Sequence, residues 1–131
     1  MTIASDLVRQ HFETLVADNQ RWQALIADDL VWELPFAPAL GHPARLSGRD
    51  EVVRHVTWFV GAVEKVAFAD PAAAVAEVQA EGLIRPTGRI YRQAYVLFLR
   101  AAGGKIAFLR EYFDPARAAK AMDVPILGLE S

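Results

Sequence analysis

A glutamate in an otherwise apolar run is the first feature with chemistry in it. Glu111 interrupts Ile106 to Phe113. A carboxylate desolvated among such neighbours has its charged form disfavoured, which raises its pKa toward values that suit proton transfer. The plainer alternative is an ion pair with Arg92 or Arg110, or a side chain turned to solvent. His55 is the second candidate. It falls three residues after Val52 and four before Phe59, beside the apolar stripe Val52, Val56, Phe59, Val60 and Val63 of a helix. An imidazole there can exchange protons near neutral pH and partner Glu111, or serve as a hydrogen-bonded core residue. Trp32, Trp58 and Phe113, with Phe59, are large aromatics able to wall a planar ligand, or to act as core or dimer contacts.

Other chemistries lack their residues. His11, His42 and His55 do not have metal-ligand spacing, and no cysteine supplies sulfur ligands, a thiolate or a disulfide. There is no glycine-rich phosphate loop and no Gly-x-Ser-x-Gly elbow. Ser47 reads as a helix cap, since no histidine is placed in sequence to activate it. Neither metal nor cofactor is therefore expected. Fourteen basic and sixteen acidic residues give a formal charge of -2 with no same-sign block, which disfavours nucleic acid and anionic membrane as partners. The expected partner is a small apolar molecule. Hydrophobic residues make up 53% of the 131, enough for one core, yet no apolar run reaches the roughly 18 residues of a membrane span. The first residues lack a signal-peptide layout, so the cytoplasm is the expected location.

The elements that must position these groups follow from periodicity. Ile3, Leu7, Val8, Phe12, Leu15 and Val16 recur at three and four, which predicts a first helix over Ile3 to Val16. Asp18-Asn19 caps or turns the chain, and Trp22, Leu25 and Ile26 continue as a short second helix up to Asp28-Asp29. Leu30 to Leu34 alternates as a strand with Trp32 on the inward face, ended by Pro35. Three prolines and Gly41 between Pro35 and Leu46 have the composition of a lid loop. Ser47, three residues before Asp50, marks the start of a long third helix that carries His55. Strands are expected at Lys65 to Ala69, Ala74 to Glu81, Gly88 to Arg100 and Lys105 to Phe113, the last two joined through Ala101-Ala102-Gly103-Gly104. Asp114-Pro115 caps a short terminal helix, Ala116 to Met122.

Strands without crossover helices exclude a doubly wound fold and define an α+β class. The expected shape is a cone: a strongly curved antiparallel or mixed sheet wrapped around the third helix, with two helices before it, a short one after it, and one domain over residues 1–131. The hairpin register stays open. One pairing puts Ala94 opposite Glu111, with Arg92, Val96 and Phe98 on its face; a shift by one puts Tyr95 opposite, with Gln93, Tyr95 and Leu97 on its face. Arg92 and Tyr95 are both candidates to contact a ligand, as alternatives.

The order of elements, Leu46-Ser47-Gly48-Arg49-Asp50, Gly104-Lys105-Ile106 and Arg110-Glu111-Tyr112-Phe113-Asp114-Pro115 resemble the SnoaL-like, ketosteroid-isomerase-like branch of the nuclear-transport-factor-2-like superfamily. The run from Gly48 through His55 to Trp58, with Arg110-Glu111, is similar to the phenazine-biosynthesis condensing proteins. That resemblance implies acid-base roles for His55 and Glu111. Where steroid isomerases place their two acids this chain has Leu34 and Val96, so steroid isomerisation by that machinery is not implied. The function expected is proton transfer on an apolar, carbonyl-bearing molecule, in isomerisation, cyclisation or condensation. The alternative is a non-catalytic ligand-binding or dimerisation module. The sheet face opposite Glu111, with Phe108 and Tyr112, points to a homodimer.

Overall fold

In a computed structural model the chain is described over residues 3–56, 61–69 and 72–127, with the backbone alone for 61–69. Helix α1 (Ile3–Thr14) is followed by α2 (Asn19–Leu25), which runs directly into strand β1 (Ile26–Glu33). A 3-10 turn (Ala37–Leu40), β2 (Arg45–Ser47) and α3 (Arg49–His55) come next. Strands β3 (Gly61–Ala69), β4 (Ala73–Ile84), β5 (Arg89–Ala102) and β6 (Lys105–Phe113) and helix α4 (Pro115–Met122) complete the order. The strands form one six-stranded mixed sheet in the order β2-β1-β6-β5-β4-β3, and this is the α+β architecture that the strand pattern predicted. All neighbours are antiparallel except β1 and β6, which pair in parallel with Trp32 opposite Leu109 and Glu33 opposite Arg110. Among the described residues no helix is long and apolar enough to cross a membrane.

Two expectations about shape are corrected. The sheet is not strongly curled, and the helix lying across it is α1 rather than the third. The buried stripe Ala4, Leu7, Val8, His11 and Phe12 packs α1 across β3 to β6, whereas α3 rests on β1 and β2. The third helix also ends sooner than the stripe through Val63 suggested. Gly61 already begins β3, whose ladder with β4 places Val63 opposite Val78. Along this valine-rich stretch a β-branched residue suits a pleated ladder as well as a helix face, and pairing decides between them.

Alternation along β5 sets the inner layer. Tyr91, Gln93, Tyr95, Leu97 and Leu99 are buried, while the residues between them point outward. Gly103 and Gly104, at φ 60 and 75, make the two-residue turn into β6. A register shift between Arg100 and Ala101 then puts Leu97 opposite Glu111. Neither expected pairing occurs, yet the face with Gln93, Tyr95 and Leu97 is the one Glu111 shares.

Caps behave as side-chain chemistry dictates, with one exception. Asp18 accepts from the Arg21 N–H, and Asp114 Oδ1 accepts from the Ala116 N–H at 2.8 Å with Pro115 in the first turn. The exception is Ser47, which is not the cap of α3. Gly48 takes that position at φ 85, and the Glu51 carboxylate accepts the Ser47 N–H at 2.9 Å instead. Arg49 ties this corner together. Its guanidinium donates to Asp28 Oδ1 at 2.8 Å and to the Gln23 and Ile26 carbonyls at 2.6 Å each.

Candidate functional site

A cavity of about 330 Å³ opens between the sheet, the loop after β1, the end of α3 and α4, a size within the range of small-molecule sites. Its deep wall is built by Trp32 from β1, Tyr91 and Tyr95 from β5, and Glu111 and Phe113 from β6. Ala37, Leu40, His42 and Pro43 of the proline-rich loop cover one side, Ala118 and Met122 of α4 another. Leu127 holds that loop by donating its N–H to the Ala39 carbonyl at 2.7 Å. Arg54 and His55 are exposed and line the outer part.

Glu111 is 5% exposed, and its buried Oε1 has no hydrogen-bond partner among the described residues. Burial pushes its pKa up from 4.5 to about 8 by penalising the charged form. The two arginines able to neutralise it are engaged elsewhere. Arg92 lies on the outer face, bonded to Glu81 at 2.7 Å, and Arg110 bonds Glu33 at 2.8 Å. At neutral pH Glu111 is a protonated acid in an apolar wall.

Beside it runs a short polar chain. Gln93 is buried, and its Oε1 accepts from the Ala94 and Asp114 N–H groups at 3.0 and 3.1 Å, which orients the amide. Its Nε2 therefore donates, to the Asp114 carbonyl at 2.7 Å and to the Tyr91 hydroxyl at 3.1 Å. The Tyr91 and Tyr95 hydroxyls lie 3.1 Å apart. Both phenol pKa values are raised, first by burial and then by the nearby Glu111 charge among other contacts. Both tyrosines stay protonated throughout the range in which Glu111 titrates.

Glu111, His55, Trp32, Tyr95 and Phe113, all expected from sequence, line this one cavity. His55 sits at its outer part, with Nδ1 donating to the Glu51 carbonyl at 2.9 Å. Arg92 does not line it, since the register that gives Tyr95 the inward face turns position 92 outward; the expected ligand contact for Arg92 is corrected accordingly. Trp58 and Phe59 lie outside the described residues. Tyr91 and Arg54 were not foreseen. The Tyr91-x-Gln93-x-Tyr95 alternation on one strand face was the signal for the first, whereas nothing in the sequence marked Arg54.

Behind Trp32 lies a second buried group. His11 Nδ1 accepts from Trp22 Nε1 at 2.9 Å, and its ring packs 5.6 Å from Trp32. Burial holds the imidazole neutral, its pKa lowered to about 3. Among the described residues no group of three His, Asp or Glu side chains is placed to hold a metal ion.

A fold of six mixed strands under one long helix, with an acid and two tyrosines in an apolar hollow, defines a class that the relatives make specific. Residues 8–109 match the SnoaL-like domain, and the chain belongs to that family. An uncharacterised protein of Bacillus subtilis, YesE, is 27% identical over 88% of this chain and 84% of its own length. An uncharacterised PhzA/B-like protein of Pseudomonas aeruginosa is 29% identical over 80% and 79%. The crystal structure of a Bacillus subtilis protein provisionally described as an isomerase superposes with a TM-score of 0.83 at 24% identity, covering 95% of this chain and 96% of that one. At that identity the likeness establishes the fold, which is the ketosteroid-isomerase-like, nuclear-transport-factor-2-like one.

Proposed function

We propose that the chain, taken as one domain over residues 1–131, is an enzyme that moves protons on an apolar, carbonyl-bearing small molecule held in the cavity. One observation carries this: an acid buried in the cavity wall, its Oε1 unpartnered and no ion pair made to it among the described residues, and its pKa raised to about 8. Such a group gives a proton at neutral pH and, once ionised, is a stronger base than an ordinary carboxylate. The Tyr91–Tyr95 pair supports the other half of the chemistry. Gln93 donates to the Tyr91 hydroxyl, which lies 3.1 Å from that of Tyr95, and this pair on the cavity wall offers a hydroxyl donor to a ligand carbonyl. Charge that develops on that oxygen during enolisation is then met by a donor already in place. His55 partners or orients the exchange from the outer part, while Trp32 and Phe113 hold a flat apolar body.

The test is solvent-deuterium incorporation at the α-carbon of a panel of cyclic enones, followed by NMR with the wild type and Glu111→Gln. Exchange by the wild type that falls at least about 100-fold in the variant is expected for loss of a general acid-base group. Equal exchange by both proteins across the panel would favour a binding module instead.

The outer sheet face supports pairing of two copies, and the cytoplasm is the location proposed for them. Phe98 is 40% exposed there, edge-on to Tyr112 at 6.1 Å, and Tyr112 meets Phe36 at 5.7 Å. A second copy laid on this aromatic strip would cover it. Light scattering should give twice the chain mass, and Phe98→Glu should halve it.

A further inference from the structure

Of the described side chains lining the cavity, only Arg54 carries a permanent charge. It stands in the last turn of α3, exposed, in the outer part of the cavity. No carboxylate among the described residues lies within ion-pair distance of it. Its helical neighbours are Asp50, four residues earlier, and Glu51, three earlier, and neither is within ion-pair distance of it. The Glu51 carboxylate turns back to the Ser47 N–H, which its Oε2 accepts at 2.9 Å. The guanidinium therefore keeps its five donors for something outside the protein's own ion pairs.

We infer that the cavity selects ligands bearing a carboxylate at one end, which Arg54 holds at the opening while the apolar body lies inward against Trp32 and Phe113. The inference rests on the reading of the cavity as a ligand site and deepens it. The lining favours this orientation. A carboxylate pushed inward would lose most of its water with no cation among the described lining residues to replace it, only the neutral hydroxyls of Tyr91 and Tyr95 and the Glu111 acid. At the opening it keeps part of its hydration and gains a planar, two-pronged donor. The neutral polar atom of the same ligand is then left facing Glu111 and Tyr95, which would fix the reacting end deep in the site.

Two probes of the same shape separate charge from burial: 1-naphthoate and 1-naphthamide, titrated by protein NMR at low salt into wild type, Arg54→Gln and Arg54→Lys. Naphthoate should bind the wild type about fivefold tighter than the amide, as suits a partly solvated ion pair. Arg54→Gln should erase that preference without changing the affinity for the amide. Arg54→Lys should keep part of it, and 0.5 M salt should shrink it in the wild type. Equal binding of both probes to the wild type overturns the inference, as does a preference that survives Arg54→Gln. If the amide binds and the carboxylate does not, the ligand site stands and its anion selectivity fails. If neither probe shifts resonances of cavity residues, both fail together.

Discussion

Glu111→Gln should stabilise the protein as the pH rises, and the size of the effect can be worked out. In the unfolded chain this carboxyl titrates near 4.5; in the fold it titrates at about 8. As the pH climbs from 4.5 the unfolded state releases its proton first, so stability present below 4.5 is lost progressively until the folded group ionises too. At about 1.36 kcal/mol per unit, that loss is roughly 1 kcal/mol at pH 5, about 3 at pH 7 and about 5 at pH 9. Glutamine has no such titration and carries only a pH-independent cost, about 1–3 kcal/mol, for an amide buried without partners. The stability difference between the two proteins should therefore move in favour of the variant by about 2–3 kcal/mol from pH 5 to 7 and by roughly 4 from pH 5 to 9. Urea unfolding at pH 5, 7 and 9, followed by fluorescence of the buried Trp22 and Trp32, measures this by linear extrapolation. Titration of His11 is common to both proteins and cancels. A difference that stays constant within about 0.5 kcal/mol over that range would refute the desolvation argument, and with it the ground for Glu111 as an acid.

His11 gives the opposite slope. Its pKa falls from 6.5 to about 3 on folding, so stability is full above 6.5 and is lost as the pH drops toward 3. Wild type should lose about 3 kcal/mol between pH 7.5 and 4.5 from this group, and His11→Gln, compared with it by urea unfolding, should lack that component. Arg49→Lys should cost about 1–3 kcal/mol in the same assay, because an ammonium cannot reproduce three divergent bonds to Asp28, Gln23 and Ile26; an unchanged midpoint would remove Arg49 as the tie between α2, β1 and α3. Gln93→Leu should slow proton exchange on the substrate while Glu111 still titrates near 8, read by carboxyl-carbon NMR; a collapse of that titration would show a general loss of structure instead.

Much of the sheet and part of the site were legible because period-two alternation is a strong local signal. Along β5 it separated Tyr91, Gln93 and Tyr95 from Arg92, Ala94 and Val96 without any knowledge of partners. What it could not supply was phase. A shift between Arg100 and Ala101 depends on how two strands seat on one another, and it alone decided that Tyr95 rather than Arg92 shares the cavity with Glu111. The length of the third helix was hidden for a related reason. The valines around Val63 satisfy a helical stripe and a strand equally, and only the β4 ladder arbitrates. Ser47 looked like a cap because its spacing to Asp50 is right, yet Gly48 reaches φ 85 and Glu51 supplies the acceptor. Arg54 was invisible for the opposite reason. Its availability follows from where Asp50 and Glu51 turn their carboxylates, neither within ion-pair distance of it, a fact that no motif encodes.

The parallel seam between β1 and β6 has a consequence for biosynthesis. It is bonded by residues such as Glu33 and Arg110, 77 positions apart, and it is what brings Trp32 alongside the strand carrying Glu111. A ribosome-bound chain therefore holds β1 unmated on its central side until β3, β4 and β5 have been made. Such distant pairing is slow to form, and an apolar strand waiting in that condition is an invitation to self-association. The expected outcome is a refolding yield that declines as protein concentration rises, read by recovery of soluble protein after dilution from urea.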